Sequence, residues 1–124
     1  MISYIPIAGG LLSGKHSWTA PPPEGSRFTL GWAGQMYQER YWNERAFETV
    51  EALRKLADQA GVSLVTLAVA WVLAGEAVTA PIIGASRPEQ LDDSLAAAGY
   101  ALDPDLKRQL DELTHEYRMG DAAR

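Results

Sequence analysis

From Asn43 onward, apolar positions recur at helical spacing. Phe47, Val50, Leu53, Leu56 or Ala57, and Ala60 share one face, while Glu44, Glu48, Glu51, Arg54, Lys55 and Asp58 lie elsewhere on the turn. Gly61 stands where a left-handed residue would end that helix. The next run, SLVTLAVAWVLA at 63–74, has Ser63 as an N-cap and is apolar nearly all round, the mark of a helix buried on most sides. A last helix is expected from the cap and early proline of Asp103-Pro104, with Leu106, Leu110, Leu113 and Tyr117 on one stripe and a frayed tail, MGDAAR, after it. Two stretches read as strands instead. Ile2, Tyr4, Ile5 and Ile7 lead into the Gly9-Gly10 pair, and VTAPIIGAS at 78–86 leads into Ser86-Arg87-Pro88-Glu89, a capping-box pattern that opens a helix through about Ala98.

The resulting order is strand, loop, helix, helix, strand, helix, helix, which predicts an α/β chain with parallel βα units. Five stretches follow: 1–16 as a strand and glycine loop, 17–42 as a long loop, 43–75 as two helices, 76–100 as a strand and a helix, and 101–124 as the C-terminal helix and tail. The 17–42 stretch holds PPPEG and aromatic residues without period, and loops of that length usually carry binding segments or lids. Two short parallel strands leave two open edges, so the pattern reads as part of a larger α/β architecture.

Composition narrows the chemistry. The 124 residues are 47% hydrophobic and 22% charged, an ordinary globular balance, with a formal net charge of −5 that disfavours a general nucleic-acid or anionic-membrane surface. Cysteine is absent, which excludes disulfides and thiolate chemistry, and His16 and His115 lack metal-ligand spacing and read as surface residues. No signal-peptide pattern and no run of about 20 apolar residues occurs, so a soluble, cytoplasmic protein is expected, with no nucleic acid and no membrane among its partners.

Candidate chemistry concentrates at the two glycine-bearing turns. In PIIGASRPEQ, Gly84, Ala85, Ser86 and Arg87 lie where a strand gives way to a helix, a place where unpaired backbone N–H groups suit an anion. Taken singly, each feature has a plainer reading. Ser86 is an N-cap, Gly9-Gly10 a turn, Lys15 and Arg27 solvated charges, and Trp71 a packing residue.

Three ordered stretches resemble the C-terminal portion of the aldo-keto reductases, NADP(H)-dependent (β/α)8 barrels, in the branch that includes the potassium-channel β-subunits and their bacterial relatives. YIPIAGGLLSGK is similar to the seventh barrel strand and its glycine loop, GVSLVTLAVAWVL to the helix before the last strand, and PIIGASRPEQLDDSL to the eighth strand and its cofactor helix. The resemblance implies a partial TIM barrel comprising the last two βα units and the C-terminal helix, completed by oligomerisation, strand or helix swapping, or a complementary barrel chain. A mostly α collapsed domain with vestigial strands is the alternative. It further implies that Ile7, Gly10, Leu12 and Lys15 approach the NADP pyrophosphate. Ser26-Arg27 would contact the cofactor from the long loop, and Gly84 and Ser86, with Arg87 beside them, would meet the 2′-phosphate. Gln90 and Asp93 would hold the ribose or adenine end. Two positions depart from the family pattern: Ile5 stands where Ser or Thr is common, and Ser94 where Asn is usual. The family's catalytic Asp, Tyr, Lys and His precede the stretch matched here, so no catalytic residue is carried over. The implied function is the NADP-binding segment of a carbonyl or alcohol oxidoreductase, inactive alone; a noncatalytic interaction protein forming a homo-oligomer is the rival.

Overall fold

The computed structural model describes residues 1–118, and the expected frayed tail at 119–124 lies outside them. Strand β1 (Ile2–Tyr4) is followed by a 3-10 segment at Ala8–Ser13 and another at Arg27–Thr29. Helices α1 (Gly31–Tyr41), α2 (Glu44–Ala60) and α3 (Leu64–Leu73) come next. Strand β2 (Ala80–Ile82), helix α4 (Leu91–Ala96) and helix α5 (Pro104–Leu113) complete the order, with short 3-10 turns at Pro88–Gln90, Ala97–Gly99 and His115–Tyr117. β1 and β2 pair in parallel, with Ile2 opposite Ala80, Ser3 opposite Pro81 and Tyr4 opposite Ile82. The strands thus form a sheet and are not vestigial, although both are shorter than the sequence pattern suggests. β1 stops where Ile5 turns to φ 58 and Pro6 brings no N–H; β2 contains Pro81, which likewise has no N–H to extend a ladder.

Capping sets the helix starts. Asn43 accepts from the Ala46 N–H at 2.9 Å, Ser63 accepts from the Thr66 N–H at 3.0 Å, and Asp103 accepts from the N–H groups of Asp105 and Leu106. Gly61, in the left-handed conformation, closes α2 by donating its N–H to Ala57 and Asp58. The buried face of α2 (Phe47, Val50, Leu53, Ala57) meets Leu64 and Leu67 of α3 and Leu110 of α5, with Phe28 and Leu11 from the preceding segments in the same core. A second cluster, Val69, Ala70 and Ala97, gathers Ile7, Val65, Ile83 and Tyr100. α3 therefore lies beneath the sheet and touches α2, α4, β2 and the Ala8–Ser13 segment.

Four expectations are corrected. The 17–42 stretch is not all loop, because α1 occupies Gly31–Tyr41. It has neither a capping side chain nor an apolar stripe, and tertiary contact holds it. Gly34 lies so close to Phe28 that an added Cβ would sit 2.8 Å from the Phe28 carbonyl oxygen, and the Gln38 carboxamide donates to that same oxygen at 2.6 Å. His16 is not a surface residue but 8% exposed, with its ring edge-on to Phe28 and Trp42 at centroid distances of 5.3 and 5.4 Å. Trp71 is exposed rather than packed away, and its indole N–H donates to Asp111 at 2.8 Å, tying α3 to α5. Ser86 does not cap a helix: its N–H and hydroxyl both donate to the Gln90 side-chain oxygen, and the α-helix starts later, at Leu91.

Two outcomes test this packing. Leu67→Ala, at a position almost wholly buried between α2 and α3, is expected to lower unfolding free energy by about 2–5 kcal/mol, whereas Asn43→Ala costs about 1 kcal/mol through the lost cap. Urea denaturation measures both. Burial, with the nearby Lys15 charge, holds the His16 imidazole below its ordinary 6.5, so the unfolded chain takes up a proton more readily than the folded one. The stabilisation is complete above that ordinary value and is lost as pH falls through it toward the lower folded value. A proton NMR titration of the imidazole and urea midpoints taken from pH 7.5 down to about pH 5 are expected to show both effects, and His16→Phe removes this component of the pH dependence.

Candidate functional site

In a parallel pair both strands end on the same edge, so the loop after Tyr4 and the loop after Ile82 emerge side by side. Ligands of α/β sheets collect at that C-terminal edge. Ile7 from the first loop and Ile83 from the second pack on the same small cluster with Val69 and Ala70 of α3, which holds the two loop bases together.

The first loop is conformationally costly. Ile5 and Ala8 have φ of 58 and 50, and Gly9 and Gly10 continue at 69 and 104. A β-branched residue in the left-handed region is unusual, and such strain persists only where the surroundings enforce it, most often at binding sites. Gly10 has open space where a side chain would stand, as does Gly84 in the second loop, while the Gly10 N–H donates to the Ile7 carbonyl at 3.0 Å and its carbonyl accepts the Ser13 hydroxyl at 2.6 Å. Gly9 faces inward, with Tyr37 and the Arg27 side chain against it, which brings Arg27 beside the glycine loop. Its guanidinium carbon lies 5.6 Å from the Tyr37 ring centroid. Ser26, next to it, has a buried hydroxyl oxygen with no hydrogen-bond partner.

Of the residues singled out from sequence, Ile7, Gly10, Arg27, Gly84, Ser86, Arg87 and Gln90 belong to these loops or, for Arg27, lie against the first of them. Among the described residues no carboxylate pairs with Lys15, Arg27 or Arg87. The Ser86-Gln90 pair is organised, but the Gln90 oxygen already takes the Ser86 N–H, so an anion at that turn has to displace it. Leu12 turns into the main core, and Lys15 stands past Gly14, whose carbonyl is fastened to α2 by Arg54. Asp93 joins through its backbone, its carbonyl accepting the Thr66 hydroxyl at 2.7 Å, while Ser94 is buried. Tyr4 and Ile82, read from sequence only as strand positions, occupy one face of the sheet with Ile2 and are 72%, 58% and 64% exposed. The period-2 pattern carried that information, but not that the face lies open. No single helix among the described residues is long and apolar enough to cross a membrane, and none of their His, Asp and Glu side chains group to hold a metal ion.

The chain is 35% identical over 107 residues to aflatoxin B1 aldehyde reductase member 2 of Rattus norvegicus, covering 77% of this chain and 29% of that protein. It is 31% identical over 96 residues to the L-glyceraldehyde 3-phosphate reductase of Escherichia coli K12, covering 77% of this chain and 28% of that one. The solved glycerol dehydrogenase of Gluconobacter oxydans superposes with a TM-score of 0.72 at 23% identity over 98% of this chain and 36% of its own, which speaks to the fold. The chain thus spans about a third of the length of the curated relatives it matches. Since the family model of the aldo/keto reductases matches residues 1–115, nearly the full length described above, the chain belongs to the aldo/keto reductase family.

Proposed function

We propose that this chain is the C-terminal, NADP(H)-holding portion of an aldo/keto reductase, with β1 and β2 as its last two barrel strands. The observation that carries the reading is the parallel pairing that sets the two glycine-bearing loops on one edge. The residues present fit a dinucleotide phosphate. Gly10 and Gly84 leave space for close approach, Ser26 offers a buried hydroxyl without a hydrogen-bond partner among the described residues, and Lys15, Arg27 and Arg87 bring positive charge with no carboxylate partner among them. Ile7, Gly10 and Lys15 would follow the pyrophosphate, Leu12 being turned into the core; Ser26 and Arg27 would cover it, and Gly84, Ser86 and Arg87 would take the 2′-phosphate. Gln90 would exchange its bond to Ser86 for one to the ribose or adenine end, with Asp93 beyond it. When bound, the nicotinamide supplies a hydride for reduction of a carbonyl, and aldehydes are the substrate class that the names of two relatives suggest.

This chain's part is to bind and orient. The tyrosine that protonates the carbonyl oxygen as general acid, and the Asp, Lys and His that assist it, belong to the earlier barrel strands in the family, so the chain alone is inactive. The exposed face of Ile2, Tyr4 and Ile82, and the open edges of a two-stranded sheet, call for cover. The remaining strands of a barrel, or a second copy of this chain that pairs or swaps with it, would supply it; in the noncatalytic rival the second copy alone does.

Calorimetric titration tests the reading. NADPH is expected to bind saturably and more tightly than NADH, and Arg87→Ala or Lys15→Ala to weaken NADPH about tenfold, the effect of one lost charge-assisted hydrogen bond. Addition of a purified N-terminal barrel portion is expected to bring NADPH-dependent aldehyde reduction that neither part shows alone. Absence of heat with either nucleotide, from a folded homodimer, would favour the interaction-protein reading.

A further inference from the structure

The turn that carries Lys15 is fastened to the fold at Gly14. The Gly14 N–H donates to the Leu11 carbonyl at 3.2 Å, and its carbonyl accepts from Nη2 of Arg54 on α2. Gly14 has φ 72, and an added Cβ would lie 3.0 Å from that Nη2 and 3.5 Å from the Leu64 side chain, so glycine is what lets the guanidinium come this close. Lys15 itself is exposed, and its place depends on its neighbours. Its N–H reaches the Ser13 hydroxyl at 3.4 Å, and that hydroxyl donates to the Gly10 carbonyl at 2.6 Å, which ties Lys15 in register to the glycine pair.

We propose that Arg54 is a positioning residue for the nucleotide: by clamping the Gly14 carbonyl to α2 it presents Lys15 to a dinucleotide phosphate. This role rests on the nucleotide reading above, and it is exerted through Lys15, with no contact between Arg54 and the ligand. A charged donor makes the stronger kind of hydrogen bond, and Gly14 is half-buried, so losing the guanidinium would strand an acceptor. The guanidinium is itself constrained. Its Nε is buried with no hydrogen-bond partner among the described residues, and its polar contacts are both made at Nη2, to Gly14 and to Glu51 at 3.3 Å. An arginine free to swing into water would not keep a buried donor unpaired. The contact to Glu51 has a second effect, because it engages a carboxylate that lines the same cleft as Gly14, while Lys15 keeps no carboxylate partner among the described residues. Without Arg54, Glu51 competes with phosphate for the Lys15 ammonium. On the other side of Lys15, ring contacts with Phe28 and Trp42 fix His16 and leave the Gly14 carbonyl to Arg54.

A double-mutant cycle tests the role on the intact chain. NADPH is titrated by calorimetry into the unsubstituted protein, Arg54→Met, Lys15→Ala and the double variant, each checked for unchanged circular dichroism. Arg54→Met is expected to weaken NADPH about five- to tenfold, and the double variant to bind within about twofold of Lys15→Ala alone. A mere loss of positive charge, or a general loosening of the fold, would instead weaken NADPH equally in both backgrounds. Hydrogen exchange on the nucleotide-free chain reads the clamp directly. Arg54→Met is expected to speed exchange of the Gly14 amide about tenfold, while the Val50 and Leu53 amides of α2 keep their rates. Absence of NADPH binding by the unsubstituted chain overturns the nucleotide reading and this role with it. Where the unsubstituted chain binds, an Arg54→Met affinity within about twofold of it, an equal loss in both backgrounds, or an unmoved Gly14 amide overturns the role of Arg54 alone.

Discussion

The parallel pairing of β1 with β2 joins residues 78 positions apart, and every feature of the sheet edge depends on it. Closing so long a span costs chain entropy that three residue pairs do not offset by themselves. The N-terminal amine adds bonds to the Ala77 carbonyl and the Thr79 hydroxyl, and the Thr79 N–H donates to the Met1 carbonyl at 2.7 Å. The larger contribution comes from below. Val69 and Ala70 of α3 collect Ile7 and Ile83, the residues just past each strand, so one buried helix holds both loops at once. An apolar, nearly unmarked helix thus does for the site what no residue within the loops could do.

That division explains which parts were readable in sequence. Elements whose signals are local were legible: the caps at Ser63 and Asp103, the terminating Gly61, and the apolar stripe of α2 all appear as the pattern indicates. The order of strands and helices was legible too. Helix α1 was not, because Gly34 and Gln38 fasten it to Phe28, and no periodicity records a close approach of backbone to backbone. The burial of His16 was hidden for the same reason. Phe28, Trp42 and Phe47 surround or adjoin it from three segments whose convergence is tertiary. At Ser86 a sound local rule met a stronger local competitor: the Gln90 side chain takes the N–H and hydroxyl that a capping box would use.

The candidate cofactor residues divide on the same principle. Gly10, Gly84 and Arg27 converge because they lie on, or against, the loops that the strand pair aligns. Leu12 and Lys15 are governed by the main core and by α2, since Leu12 packs into the first cluster and Arg54 grips Gly14 beside Lys15. A motif read as one unit in sequence is therefore anchored to two different bodies of the fold, the sheet edge and the α2 face.

Charge follows that division. With 16 acidic and 11 basic residues the chain repels anions on average, yet exposed charges are screened beyond roughly 8–10 Å at physiological salt. What an approaching group meets is local. Around the glycine loops Arg27 and Arg87 have no carboxylate partner among the described residues; across Gly14, the carboxylates of α2 set the opposite sign. The Arg54 contact to the Gly14 carbonyl lies on the boundary, where a cation stabilises the turn that carries Lys15 while its bond to Glu51 keeps it part of the acidic wall. Replacing that arginine by a neutral residue would leave the Gly14 carbonyl unbonded and Glu51 without its partner, loosening the Lys15 turn and enlarging the negative patch together. The glycine loop and the acidic face of α2 thus share this one guanidinium.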